Sequence, residues 1–153
     1  MTDATHRYFV PAFGGKYNAV SDFAEPILRI GLGAILIPHG CQKLFGMFGG
    51  MGLSGNAALF DRIGYSPGMF WGTLVGLTEL VGGILLILDL LTRFAAAAVL
   101  IFMIVAVKFT SAKGFFWTNG GFEFALLIGI CALFFLIRGG GYLSLDRSIG
   151  REI

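Results

Sequence analysis

Residues 94–107 read FAAAAVLIFMIVAV, fourteen positions without a charge or a polar side chain. A helix in a small soluble bundle keeps one face wet and shows it as a polar stripe. This stretch is apolar on every side, and a bundle of four helices cannot bury one of its members completely. The solvent around it is therefore lipid. Arg93 and Lys108 bracket the run, which sets a span over residues 93–109.

Working outward, three more segments have similar character. Residues 69–88 precede the first across a tight turn at Asp89–Thr92, and residues 122–138 follow it. The earliest candidate is 26–45, PILRIGLGAILIPHGCQKLF, in which Pro26 suits a first helical turn because its missing N–H would be unpaired there anyway. Each is close to the roughly 20 residues that cross about 30 Å of hydrocarbon at about 1.5 Å per residue. The reading is all-α: a polytopic membrane protein, a four-transmembrane-helix bundle forming one domain over 1–153.

Composition agrees. Of 153 residues 56% are hydrophobic and 13% charged, with mean hydropathy +0.83. Soluble domains carry about 25% charged residues because their surfaces face water. Net charge is +2 with no basic block, which argues against a nucleic-acid partner. Residues 1–25 mix charges with aromatics and hold no apolar core, so they read as a cytoplasmic tail and not as a cleavable signal. The link 46–68 is glycine-rich and contains AALFDRIG, a short amphipathic piece suited to a membrane surface. Orientation follows from the basic residues. Arg7, Lys16, Arg29, Arg93, Arg138, Arg147 and Arg151 fall on one side, and Lys43, Arg62, Lys108 and Lys113 on the other. The positive-inside rule then puts both termini in the cytoplasm of a bacterial inner membrane.

Ionisable groups inside a span are costly, so they face the bundle and have a partner or a task. Arg29, Asp89, Arg93 and Arg138 fall near the cytoplasmic ends and read as anchors that snorkel to headgroups. His39, Gln42 and Lys43 lie at the outer end of span one, Lys108 at that of span three, and Glu123 at the start of span four. Glu79 lies deeper, within GLTELVGG, whose glycines admit a close neighbour. His39 and Lys43 share a helix face. Two readings stand side by side: an ion-pair network that fixes helix register, and a polar pocket for a small anionic or quinone-like ligand.

Several dispersed motifs then become recognisable: HG-x-QK-LFG at 39–46, L-x-ELVGG-x-LL-x-L-x-L-x-TR at 77–93, KGFFWTNGGFEF at 113–124 and GGGYLSLD at 139–146. Together they resemble the DoxX family of small bacterial membrane proteins over about residues 24–147. The resemblance implies Arg29, His39, Gln42, Lys43, Glu79, Trp117, Asn119 and Glu123 as motif positions. Lys108 departs from it, standing where a histidine or a neutral residue is expected. The family takes its name from a subunit linked to a thiosulfate:quinone oxidoreductase, and other members resemble partners in redox-stress complexes.

Several redox chemistries lack the residues they need. A bis-histidine haem requires two facing membrane histidines, and His6 lies in the tail, which leaves His39 alone. Cys41 and Cys131 are far apart and read as free apolar core residues, so no paired reactive thiol exists. One histidine with carboxylates is a poor metal set, and glycine-rich dinucleotide fingerprints are absent. No redox centre of the chain's own is evident, and whether it is an enzyme stays open.

The resulting expectation is an accessory or quinone/oxyanion-interacting subunit of a membrane oxidoreductase or redox-stress system. Its ligand-binding residues would be His39, Gln42, Lys43, Glu79, Trp117, Asn119 and Glu123, with quinone the candidate cofactor and no metal. Its partners would be the bilayer, other redox-complex subunits and a second copy of the chain. The alternatives are a structural or assembly protein without ligand, and a small-solute transporter.

Overall fold

The computed structural model describes residues 13–141 together with 144 and 145. His6, Arg7, Arg147 and Arg151 lie outside the described residues. Five α-helices follow one another: α1 Gly14–Phe45, α2 Gly52–Arg62, α3 Gly68–Leu88, α4 Thr92–Thr110 and α5 Glu123–Arg138. No strand occurs among the described residues.

The expected spans meet α3, α4 and α5 with ends that differ by a residue, and the end of α1 at Phe45 coincides. The start of α1 does not. Residues 14–25 were read as part of the N-terminal tail, yet the helix begins at Gly14 and carries Pro26 and Pro38 in its interior. An interior proline removes one i→i−4 hydrogen bond, here from the carbonyls of Asp22 and Ala34. Beside Pro26, the Glu25 carboxylate pairs with Arg138 of α5 at 3.3 Å. At 32 residues, α1 extends about 48 Å, well beyond a hydrocarbon thickness.

Packing runs in the order α1, α3, α4, α5, with α2 docked on α3 and α1. The α1–α3 crossing depends on glycine. A Cβ on Gly33 would meet the Gly83 carbonyl at 2.5 Å, and one on Gly40 would meet the Leu80 backbone nitrogen at 2.5 Å. Backbones approach this closely only where side chains are missing. On the other side, Ala95, Ala96 and Val99 of α4 make room for Ala132 and the fully buried Phe135 of α5. The amphipathic piece expected at the membrane surface becomes α2, which buries Asn56 and Ala57. The Asn56 amide donates to the Gly72 carbonyl at 3.0 Å, and Asp61 accepts from the Gly68 N–H at 2.7 Å.

The surface is inverted relative to a soluble protein. Ile137, Ile27, Phe94, Ile101 and Ile104 are each more than 60% exposed, whereas Glu79, Arg29 and Asp89 are buried. Contiguous apolar surface on this scale marks contact with something apolar, and for a helical bundle that is lipid. By length and composition α3, and α4 with its short extension through Lys113, can each cross a membrane.

Candidate functional site

The bundle has two ends: a hairpin end, with the 89–91 turn, and a loop end, with the 46–67 and 111–122 links. The hairpin end holds the most deeply buried charges. Arg29, on α1, is 3% exposed and Asp89 1% exposed. The guanidinium reaches Asp89 Oδ2 at 3.1 Å and donates to the Leu86 and Ile87 carbonyls at the C-terminus of α3. Asp89 also accepts from the Thr92 hydroxyl at 2.7 Å and the Gly141 N–H at 3.0 Å, while Ser144 donates to its carbonyl at 3.0 Å. These two residues were expected to snorkel to headgroups. They do not, because α1 starts twelve residues before Pro26 and places Arg29 mid-helix, and because Gly141 and Ser144 both bond to Asp89. Arg138, exposed beside Glu25, keeps the position of an anchor.

At the loop end, Lys43 on α1 and Glu79 on α3 form a direct ion pair, with Nζ at 2.7 and 2.5 Å from the two carboxylate oxygens. Glu79 is almost fully enclosed, and Lys43 keeps 27% of its side chain exposed. The remaining candidates gather nearby without joining this pair. Gln42, half-buried, donates to the Phe48 carbonyl at 3.2 Å and shares a side-chain hydrogen bond with His39. His39 sits half-buried with its ring centroid 6.3 Å from that of Phe124. Glu123 accepts from the Trp117 N–H at 2.9 Å, closing the 115–123 loop. Trp117 and Asn119 are exposed on that loop, and Lys108 is exposed on α4. Among the described residues, no three His, Cys, Asp or Glu side chains group together. Cys41 and Cys131 are free.

Beside the ion pair lies a feature that no motif announced: a cavity of about 450 Å³ between α2, α3, α4 and the 63–67 link. Its walls combine aliphatic side chains with five aromatic ones, Phe60, Tyr65, Trp71, Phe102 and Phe109. Tyr65 is the hub, with ring centroids 5.6 Å from Trp71, 5.4 Å from Phe109 and 6.4 Å from Phe60. The rim includes exposed Leu74 and Ile101, so the mouth opens to lipid. Phe102 separates the cavity from the ion pair; Lys43 Nζ lies 5.7 Å from its ring centroid, a cation–π contact. Sequence offered one weak signal, a concentration of aromatics in the 60–71 region, because apolar lining residues look like any others in a lipid-facing helix.

The fold and this distribution of charge define an all-helical membrane protein with a lipid-open aromatic cavity beside a buried ion pair. The chain belongs to the DoxX family, whose profile matches residues 25–119. It is 31% identical to an uncharacterized membrane protein of Mycobacterium tuberculosis, over 82% of this chain and 80% of that one. An uncharacterized protein of Haemophilus influenzae is 35% identical over 82% and 90% of the two chains. A Bacillus subtilis protein named CatD and described as a candidate oxidoreductase is 28% identical over 84% and 89%. No solved structure matches the chain.

Proposed function

We propose that this DoxX-family protein is an accessory, quinone-interacting subunit of a membrane oxidoreductase or redox-stress system. In this reading it spans the inner membrane four times with both termini in the cytoplasm. The observation that carries the reading is the lipid-open aromatic cavity of about 450 Å³ lying against the Lys43–Glu79 pair. Ligand sites of this kind are mostly apolar hollows of about 300–1,000 Å³ with a few placed polar groups. A flat lipophilic ring reaches such a site through the bilayer. An oxyanion is a poorer fit, because the Lys43 charge is already met by both oxygens of Glu79. In this reading Lys43 and Glu79 act on the site from behind the Phe102 ring, and His39, Gln42, Trp117, Asn119 and Glu123 belong to the surrounding loop end outside the cavity lining. The description of CatD as a candidate oxidoreductase points the same way.

The second reading, a structural or assembly protein, draws on that same direct contact, which fixes the register of α1 against α3. A thermal unfolding series on purified protein separates the two. Under the quinone reading, decylubiquinone raises the midpoint, and Glu79→Gln leaves the fold intact while abolishing that rise. A midpoint that no quinone moves, together with an unharmed Glu79→Gln protein, leaves only the structural role.

A further inference from the structure

Tyr65 and Trp71 line the cavity together, their ring centroids 5.6 Å apart. The cavity's threonines have spent their hydroxyls within their own helices: Thr78 donates to the Leu74 carbonyl and Thr110 to the Ala106 carbonyl, each at 2.8 Å. The Tyr65 hydroxyl and the Trp71 indole N–H are different, for neither makes a hydrogen bond with any described residue. Buried or lipid-facing tyrosine and tryptophan ordinarily find a partner for that polar tip, since an unmet donor in an apolar setting costs free energy. Both residues are half-buried and line the hollow, and the rings of Phe60 and Phe109 pack against Tyr65.

From this arrangement we infer that Tyr65 and Trp71 form a donor pair which hydrogen-bonds a carbonyl oxygen of a planar ring bound in the cavity, the ring carrying an apolar tail that leaves between Leu74 and Ile101 into lipid. The inference rests on the proposed quinone-type ligand and goes further by assigning the ring a position and a second set of contacts. Three observations select the occupant. Five of the lining residues are aromatic, among them the Phe60, Tyr65, Trp71 and Phe109 group, and offer ring faces on which a flat ring can stack. The indole N–H of Trp71 can only donate and the Tyr65 hydroxyl can donate as well, so a ligand that engages both presents an acceptor. The lining is almost wholly apolar and includes the exposed Leu74 and Ile101 on the lipid-facing sides of α3 and α4, so the ligand is lipophilic. A lipid acyl chain would satisfy the third requirement, the first only in part and the second not at all.

The chain has two tryptophans, Trp71 in the cavity and Trp117 on the exposed loop, which makes intrinsic fluorescence a position-specific reporter. Decylubiquinone is titrated into detergent-purified wild-type, Trp71→Phe, Trp117→Phe and Tyr65→Phe proteins, with 1-decanol as the ring-free control. The inference expects saturable quenching in wild type and Trp117→Phe, none in Trp71→Phe, and none with decanol. Tyr65→Phe should bind about tenfold more weakly, the scale of one lost hydrogen bond, while its unfolding midpoint without quinone stays near that of wild type. Saturable quenching that survives Trp71→Phe and vanishes in Trp117→Phe would put the ring by the 115–123 loop and overturn this position while leaving quinone binding standing. Equal quenching by decanol would assign the cavity to acyl chains and overturn it as well. No saturable quenching and no stabilisation by decylubiquinone in any of the proteins would remove both this inference and the quinone reading on which it rests.

Discussion

At the scale of single residues, the two buried ion pairs differ in how each partner could be spared. Glu79 is nearly sealed from solvent, whereas Lys43 keeps a quarter of its side chain free to reach headgroups or water. Removing one partner of a buried pair costs about 3–5 kcal/mol when the other is left uncompensated, while replacing both by apolar groups is often neutral. Lys43→Met should therefore lower stability by on the order of 3 kcal/mol, Glu79→Gln by much less, and the double variant should recover most of the loss. Chemical unfolding in detergent measures all three, and equal losses for the two single variants would contradict the assignment. Asp89 allows a cleaner test, because it adopts a left-handed backbone at φ 54° that asparagine also tolerates. Asp89→Asn keeps the backbone and an acceptor for Thr92 while removing the charge that faces Arg29. It should cost about 3–5 kcal/mol, and an unchanged unfolding midpoint would show that the pair contributes little.

Helices and their contacts divide more sharply into what was legible and what was not. The limits of α3, α4 and α5 were readable because flanking polar residues such as Arg93 and Arg138 mark where a helix meets water. The start of α1 was hidden because Pro26 resembles a helix beginning, and only the tertiary pairing of Glu25 with Arg138 reveals that the helix continues through it. Gly76, Gly82 and Gly83 were recognised as sites of close approach, but their partner helix was not. Sequence shows that a glycine is small without showing what lies opposite. Gly31 and Gly33 make the point two residues apart. A Cβ at Gly31 meets nothing within 4 Å, whereas one at Gly33 would strike the Gly83 carbonyl and Ile87. Gly31→Ala should thus be neutral or stabilising by a few tenths up to about 1 kcal/mol through helix propensity. Gly33→Ala should push α1 off α3 and destabilise the bundle by more than about 1 kcal/mol, within the range of overpacked cores. Unfolding midpoints that move equally for the two would refute the close crossing. The Lys43–Glu79 contact belongs to the same crossing, so its convergence could be guessed from shared depth, while the aromatic cavity behind Phe102 could not.

For the whole molecule, the distribution of charge and apolar surface implies how it sits in the bilayer. Lys16, Arg29, Arg93 and Arg138 cluster toward the hairpin end, and Lys43, Arg62, Lys108 and Lys113 toward the loop end. Exposed Phe115, Phe116 and Trp117 extend the loop end with an aromatic fringe, as expected where a helix bundle meets headgroups. The four long helices alternate in direction, since each link returns the chain to the end it left. In the proposed four-span reading both termini lie on one membrane face, and the positive-inside rule makes that face cytoplasmic. The prediction is that a membrane-impermeant maleimide applied to intact cells labels Ala112→Cys, on the exposed 111–122 link, in a protein whose Cys41 and Cys131 have been replaced. Lys16→Cys, exposed near the start of α1, should stay unlabelled until the membrane is opened. The reverse pattern would invert the orientation while keeping the four crossings. Labelling of both positions from outside would mean an odd number of crossings between residues 16 and 112 has been replaced by an even one, and the four-span reading would fall.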